Sequence, residues 1–211
     1  MCGRFELKTK FDDLPKIMKK NYPTNLNNKY QTQDLIKPND PVLVLKNEGK
    51  IITTFMYWGF ISPWSSQPFN KSIARPFNAR SETIKEKIMF KNSWKYKRCL
   101  IPASGFFEKG FLIRKKNYKT FWLGGIWSKW TSADGAELDS CCILTTTPNE
   151  LIKPLHNRMP VVIAEGYEEQ WTQQVKENND LKDLFKMLRG WSSKEWIAEE
   201  INQSTIQMNL F

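Results

Sequence analysis

A succession of short apolar runs, rich in β-branched and aromatic residues, constrains the fold of this 211-residue chain more than any other feature. Residues 42–45 and 51–56 flank Asn47-Glu48-Gly49, a pattern that predicts a β-hairpin. Asp134-Gly135 is a second turn signal between two apolar runs. The remaining runs predict strands at residues 98–101, 105–108, 111–114, 120–130, 138–146 and 159–164.

Helical patterns are fewer than strand patterns. Residues 81–89 consist of helix-forming types, and residues 181–188 place apolar side chains on one face before Gly190. Residues 57–80 are rich in Pro, Ser, Asn and aromatics without a clean period, which indicates a long, ordered functional loop. With no repeat, low-complexity tract or linker, we predict an α+β, β-rich single domain over residues 2–211, with peripheral helices.

The charge of the chain indicates a class of partner. Lys and Arg number 32 against 22 Asp and Glu, so the formal net charge is +10. A chain this basic often binds nucleic acid, although pairs such as Lys19-Lys20 are also typical of a solvated surface. No apolar run approaches the ~20 residues that span a membrane, and the N-terminus lacks an apolar signal-peptide core. We therefore expect a cytoplasmic protein without membrane contact, nucleoid-associated when bound to DNA.

The cysteines argue against a metal site. The chain has four Cys and one His, and no two Cys form a C-x-x-C pair, so structural zinc is not expected. We expect no cofactor. Cys99, Cys141 and Cys142 lie in apolar runs and are typical of small buried residues rather than of disulfides. Cys2 is the exception, because it directly follows the initiator methionine.

Removal of Met1 would leave Cys2 with an α-amine and a thiol on adjacent carbons. An α-amine has a reference pKa of ~7.7–8.0, so part of it is neutral at cellular pH, unlike a Lys amine at ~10.4. A neutral amine attacks an aldehyde to give a Schiff base. The neighbouring thiol can then add to the imine carbon and close a five-membered thiazolidine, an intramolecular step favoured by preset geometry. An internal cysteine lacks the free α-amine for this chemistry.

Several segments, in this order, resemble the SRAP (SOS-response-associated peptidase) family of abasic-site crosslinking proteins. They are Met1-Cys2-Gly3-Arg4-Phe5, Trp58-Gly59-Phe60-Ile61-Ser62-Pro63-Trp64, Asn78-Ala79-Arg80-Ser81-Glu82-Thr83, Arg98-Cys99-Leu100-Ile101-Pro102-Ala103-Ser104-Gly105-Phe106-Phe107-Glu108 and Pro154-Leu155-His156-Asn157-Arg158-Met159-Pro160. The resemblance covers roughly residues 2–164. It implies curved antiparallel sheets that form a barrel-like core.

The resemblance also implies a catalytic set. Cys2 would be the covalent nucleophile for C1′ of an abasic site, and Asn78 would orient the amine or the sugar. Glu108 would be the general acid and base for imine formation and for self-processing of Met1. His156 would donate to the sugar hydroxyl and assist ring opening. Both steps require proton transfer, for which a carboxylate and an imidazole are suitable groups.

The expected partner is single-stranded DNA that contains an abasic site, bound by a monomer. Proteins that bind single strands combine a basic groove with aromatic faces on which bases stack. Trp58 is expected in the core instead. The candidate DNA contacts are Arg4, Trp64, Phe69, Arg75, Arg80 and Arg158. Two places depart from the family pattern. Lys109 follows Glu108 where an aromatic residue is usual, and Tyr30-Gln31-Thr32-Gln33-Asp34 replaces the family's Asn- and Pro-containing segment.

Two other functions fit parts of the sequence. In an N-terminal-nucleophile hydrolase, the Cys2 thiolate would attack an amide with its own amine as the base. That class does not call for a basic surface or for Glu108 and His156 in these motifs. The second alternative is a non-catalytic single-strand-binding module, in which Cys2 is incidental. Arg80 could also pair with Glu82 and be purely structural.

Overall fold

The computed structural model describes residues 2–24, 30–66 and 75–201, except for the side chains of residues 178 and 179. Five strands pair in a closed ring, which confirms the predicted barrel-like core. In order around the ring they are β3 (Pro41–Asn47), β6 (Arg98–Ala103), β9 (Phe121–Thr131), β10 (Glu137–Thr146) and β4 (Ile51–Trp58). All neighbours are antiparallel except β4 and β10. Closure gives every one of these strands two paired neighbours.

The strands of the barrel approach one another closely at a glycine. A Cβ on Gly125 would come within 2.9 Å of the Cys142 carbonyl oxygen and 3.0 Å of the Cys99 sulfur. Only a residue without a side chain fits between them without movement. Cys99, Cys141 and Cys142 are all buried and free, which confirms that they are core residues rather than disulfides.

A second, five-stranded antiparallel sheet carries the N-terminus. Its order is β13 (Trp196–Glu200), β8 (Phe111–Lys115), β7 (Gly105–Glu108), β1 (Phe5–Leu7) and β2 (Gln33–Ile36). Phe5 pairs with Phe106 on one side and with Ile36 on the other. Because both pairings are antiparallel, the start of β1 lies beside the ends of β7 and β2. Residues before Phe5 therefore share one edge with residues after Glu108 and after Ile36.

Most strand predictions are confirmed to within a residue or two. The hairpin of β3 and β4 forms around residues 48–50, and Gly135 adopts a positive φ of 86° in the turn between β9 and β10. Residues 159–164 form two short strands, β11 (Met159–Pro160) and β12 (Val162–Ile163). The predicted long loop at residues 57–80 lies partly outside the described residues. Its described part after residue 74 contains the strand β5 (Asn78–Arg80), which pairs in parallel with β10.

The helices lie outside the barrel. They are α1 (Lys16–Lys20), α2 (Ile88–Tyr96), α3 (Glu168–Thr172) and α4 (Asn178–Met187), and the last confirms the predicted C-terminal helix. The helix predicted at residues 81–89 was wrong, because Ser81–Thr83 is only a short 3-10 turn. The helix forms later, where Phe90 and Trp94, four residues apart, bury their rings in the core. Among the described residues no helix is long and apolar enough to cross a membrane.

A buried arginine joins the helix ends to the barrel. Arg98 in β6 donates from Nε to the Trp171 carbonyl at 2.7 Å, and from Nη1 to the carbonyls of Trp94 at 2.5 Å and Lys95 at 3.0 Å. Nη2 donates to the Gln173 carbonyl. These carbonyls lie at the C-terminal ends of α2 and α3. Carbonyls in the last turn of a helix lack hydrogen-bond partners within that helix. Burial lowers the pKa of Arg98 to about 10.

Candidate active site

Cys2 lies just before β1, and its side chain is 1% exposed. Its sulfur is 3.8 Å from the carbonyl oxygen of Arg4, to which the thiol donates. Burial, and then the negative charge of Glu108, raise the pKa of the Cys2 thiol to about 12. The thiol is therefore protonated at neutral pH, and it needs a base when it reacts.

Asn78 holds the main chain of Cys2. Its side-chain nitrogen donates to the Cys2 carbonyl oxygen at 3.0 Å. Asn78 is the first residue of β5, which adds to the barrel beside Ile143 of β10. The buried Oδ1 of Asn78 has no hydrogen-bond partner within the described part of the chain. An acceptor at this position is available to the α-amine of Cys2 or to a bound sugar.

An aromatic cluster supports this contact from behind. The ring of Trp58 packs edge-on against Phe5 at 5.1 Å and against Phe77 at 6.0 Å between centroids. The indole nitrogen of Trp58 donates to the Phe77 carbonyl at 2.9 Å. Trp58 is fully buried, as expected for a core residue. The cluster therefore fixes β1, which follows Cys2, relative to β5, which begins at Asn78.

Glu108 ends β7, the strand beside β1. The Phe107 amide donates to the Arg4 carbonyl at 2.9 Å, which joins this strand end to the N-terminal segment. A two-residue turn follows, in which Lys109 and Gly110 both have positive φ, 45° and 83°. Such a turn matches the twist of the paired strands and fixes where β7 ends. Glu108 is partly buried, and its charge acts on the Cys2 thiol.

His156 lies in a turn between β10 and β11. The main-chain amide of Arg158 donates to the His156 ring nitrogen Nδ1 at 2.9 Å. The main-chain amide of His156 donates to the Ile152 carbonyl. Nδ1 also lies 3.2 Å from the Arg158 carbonyl oxygen, so the turn holds the ring through this nitrogen whichever tautomer it adopts.

The guanidinium of Arg158 forms a two-point ion pair with Glu82, with both N–O distances 2.7 Å. It also donates to the Thr145 carbonyl of β10 at 2.5 Å, and it is only 12% exposed. This interaction lowers the pKa of Glu82. Glu82 therefore pairs with Arg158, not with Arg80. The predicted phosphate contact of Arg158 stays a prediction, and the geometry favours a role in joining the His156 turn to the segment after β5.

The other candidate DNA contacts are spread over the surface. Arg4 and Arg80 are exposed, and Trp64 is 61% exposed. Arg75 lies over the ring of Tyr57, 5.9 Å from its centroid. Phe69 lies outside the described residues. Arg4 is the member of this group that lies nearest to Cys2 along the chain, and the roles of all of them stay predictions.

A cavity of about 310 Å³ opens beside Glu108. It is lined by Gly3, Arg4, Lys37, Pro38, Phe107, Glu108 and Lys109. The sequence did not indicate Lys37 as a site residue, and it indicated Lys109 only as a departure from the family pattern. Strand pairing brings Lys37 to the edge where Lys109 follows Glu108.

A larger cavity, of about 640 Å³, contains none of the predicted site residues. It lies beside Glu6, Lys8, Ser104, Arg114 and Trp122, and it shares no lining residue with the cavity beside Glu108. Within the described ranges, no three His, Cys, Asp or Glu side chains are grouped as metal ligands are.

Comparisons with known proteins agree on one family. The sequence profile of SRAP, SOS response associated peptidase, matches residues 1–206. The chain is 32% identical over 213 residues to the abasic site processing protein YoqW of Bacillus subtilis, covering 96% of this chain and 92% of YoqW. It is 35% identical over 183 residues to the abasic site processing protein YoaM of the same organism, covering 81% and 78%.

Solved structures share the fold. A protein from Bacteroides thetaiotaomicron superposes with a TM-score of 0.80 at 21% identity, over 98% of this chain and 94% of that one. A protein from Bordetella bronchiseptica gives a TM-score of 0.76 at 18% identity, over 95% and 100%. The β-rich architecture is therefore one that other proteins of low sequence identity also adopt.

Proposed function

Because the chain belongs to the SOS response associated peptidase family, we propose that it captures abasic sites in single-stranded DNA through the amine and thiol of Cys2. The adduct would shield the lesion. The observation that carries the proposal is the hydrogen bond from Asn78 to Cys2 beside the charge of Glu108. The relatives named as abasic site processing proteins support the same substrate.

The first step requires a free α-amine on Cys2. Its nitrogen attacks C1′ of the ring-opened sugar, and the carbinolamine then loses water to leave a C1′=N bond. The amine attacks in its neutral form, and its nitrogen, positively charged once it is bonded to C1′, gives a proton to Glu108. The acid form of Glu108 then passes that proton to the departing hydroxyl, which leaves as water. His156, held in its turn by the main chain of Arg158, would donate to the sugar oxygen during ring opening.

The second step closes the ring. The Cys2 sulfur adds to C1′, and its proton passes through Glu108 to the nitrogen, so that a secondary amine and a C–S bond replace the C=N bond. The sulfur acts after the imine has formed, because the carbon that it adds to is the imine carbon.

The same groups would release the α-amine. Hydrolysis of the bond between Met1 and Cys2 adds water to the Met1 carbonyl carbon and returns a proton to the leaving nitrogen. Glu108 is the candidate acid and base for this transfer, and Asn78 holds the Cys2 side of the bond. We therefore include autoproteolytic removal of Met1 in the proposed activity.

Binding of the strand would combine charge and stacking. Arg4 and Arg80 flank the segments that carry Cys2 and Asn78, and both are exposed. Trp64 offers an exposed ring on which a base could stack, a contact worth ~1–3 kcal/mol. The net charge of +10 favours a polyanion, so non-covalent affinity should fall steeply with salt through counterion release.

Denaturing gel electrophoresis tests the proposal directly. Protein whose mass confirms that it starts at Cys2 is incubated with single-stranded DNA carrying one abasic site, beside the Cys2→Ala variant. A heat-stable shifted band with the unmodified protein alone supports covalent capture. If no band forms, the amide-hydrolase alternative becomes the better one, and if both proteins bind alike, the non-catalytic module does.

The Cys2→Ser variant separates the two steps. A hydroxyl closes a weaker ring than a thiol, so this variant should form an imine that borohydride traps but heating reverses. Heat-stable adducts equal to those of the unmodified protein would exclude the thiazolidine. Glu108→Gln should keep DNA affinity while slowing both crosslinking and removal of Met1.

A further inference from the structure

Three cations meet at one end of the N-terminal sheet, each delivered by a different strand. Arg4 precedes β1, Lys37 follows β2 and Lys109 follows β7. The strand order β7-β1-β2 and its antiparallel pairing bring these three ends together. All three side chains are exposed, and all three residues line the cavity of about 310 Å³ beside Glu108.

The charges around this cavity do not balance. Glu108 is the only acidic residue among those that line it, so three cations face one carboxylate. None of the ion pairs within the described part of the chain involves Arg4, Lys37 or Lys109. Like charges held together repel one another, and an anion relieves that repulsion.

The two lysines stand on rigid turns. The amide of Lys37 donates to the Asp40 carboxylate at 2.7 Å, and the Asp40 amide donates back to the Lys37 carbonyl at 3.1 Å. Lys109 occupies the first central position of the two-residue turn that ends β7. Main-chain positions fixed in this way lower the ordering cost of binding an anion between the side chains.

We propose that Lys37 and Lys109, with Arg4, form a subsite for the phosphodiester next to the abasic sugar. The inference rests on the proposed function, because it takes the sugar at Cys2 as its starting point. The phosphates that flank an abasic sugar are only a few bonds from C1′. A sugar captured at Cys2 therefore brings one of them to the residues adjoining Gly3 and Glu108. The lysines supply point charges, which suit a phosphate without a fixed orientation.

Neutral phosphate analogues test the subsite. The probe is a fluorescent single strand carrying a tetrahydrofuran abasic analogue, which cannot crosslink, with a methylphosphonate at the 5′ or the 3′ flanking linkage. Anisotropy gives the affinity of the unmodified protein and of Lys37→Gln, Lys109→Gln and the double variant. Lys50→Gln is the matched control, because Lys50 is exposed in the β3–β4 hairpin at the far end of those strands.

We expect each lysine variant to weaken binding roughly three- to tenfold and to reduce the salt slope by about 1. A methylphosphonate at one of the two flanking linkages should weaken binding by the unmodified protein and have little further effect on the double variant. The methylphosphonate should weaken binding by Lys50→Gln as much as it weakens binding by the unmodified protein. Equal losses from the methylphosphonates in all proteins would overturn the subsite, since the lysines would then act only through general charge.

Failure of the subsite and failure of the proposed function are distinguishable. The binding assay uses DNA without an aldehyde, whereas covalent capture is read on abasic DNA by denaturing gel. The unmodified protein could capture abasic DNA while the methylphosphonate weakens binding equally in the unmodified protein and the lysine variants. That result would rule out the subsite alone. No capture by the unmodified protein would remove the proposed function whatever the lysines do.

Discussion

The side-chain amide of Asn78 donates to the main-chain carbonyl of Cys2 across 3.0 Å, joining residues 76 positions apart. Terminal residues of a chain are poorly ordered unless they are tied down. Here Asn78 restrains Cys2, and the Phe107 amide restrains Arg4 from the neighbouring strand. The amine that would react is thus attached to a main chain held from two sides.

Asn78→Asp is expected to slow crosslinking about 10- to 100-fold, because a small displacement of a reacting group can cost that much. Aspartate keeps the size of the side chain but replaces the donor with a charged acceptor that faces the Cys2 carbonyl. Quench-flow samples resolved by denaturing gel give the rate, and anisotropy gives the affinity, which should stay within a few fold. Asn92→Asp, at an exposed position on α2, is the control. An unchanged crosslinking rate would mean that the hydrogen bond has no part in positioning Cys2.

The Cys2 thiol is expected to resist alkylation in the folded protein while Met1 is attached. With a pKa of about 12 its thiolate fraction at pH 7.5 is below about 10⁻⁴, against roughly a tenth for an ordinary thiol. Glu108→Gln removes the second cause of the raised pKa, so alkylation of Cys2 by iodoacetamide should become faster, while Glu165→Gln should change nothing. Mass spectrometry reads the modification on peptides that still carry Met1, because Glu108→Gln should also slow the removal of Met1. Slower or equal alkylation in Glu108→Gln would contradict the electrostatic contact.

The ion pair of Glu82 and Arg158 is expected to stabilise the fold. Glu82→Gln leaves a nearly buried guanidinium with a weaker partner and should cost about 1–2 kcal/mol. This cost is smaller than that of breaking a fully buried ion pair, because Glu82 is 44% exposed and screened by water. Urea unfolding followed by tryptophan fluorescence measures the loss, with Glu86→Gln as the control on the same segment.

The same pair predicts a pH dependence. Arg158 lowers the pKa of Glu82 below its ordinary value of 4.5, so the stabilisation is complete above that value and is lost as the pH falls through the lowered pKa. The stabilities of the unmodified protein and of Glu82→Gln should therefore converge in acid. A difference that persists undiminished at pH 3 would assign the effect to packing instead.

Local pattern explains why the barrel strands could be predicted. Strands β3, β4, β9 and β10 are long apolar runs separated by turn residues, and each element is specified by its own sequence. The three-residue strands β1 and β5 carry no such pattern. They form only because the barrel and the second sheet offer them edges, so their positions depend on tertiary pairing.

The candidate site also contains both residues that local motifs predict and residues that only the folded chain brings together. Family motifs pointed to Asn78 and Glu108, and the structure brings both to Cys2, although their roles stay predictions. The partner of Glu82 could not be chosen from sequence, because Arg80 is near in the chain whereas Arg158 is near in space. Lys37 likewise reaches the site through strand pairing alone.

Arg98 offers a test of how the helices are held to the barrel. Arg98→Lys keeps the charge, but an ammonium on a single stem cannot reach the carbonyls of Trp94, Trp171 and Gln173 together. Buried carbonyls left without donors cost about 1–3 kcal/mol each, partly recovered by relaxation. We expect Arg98→Lys to lower the free energy of unfolding by about 2–4 kcal/mol in urea, while the exposed Arg189→Lys changes it by less than about 0.5 kcal/mol.

Since none of the residues assigned to capture contacts Arg98, folded Arg98→Lys protein should crosslink abasic DNA at the rate of the unmodified protein. A loss below about 0.5 kcal/mol would mean that the helix ends are held by their aromatic packing, Trp94 against Trp171, and not by the guanidinium.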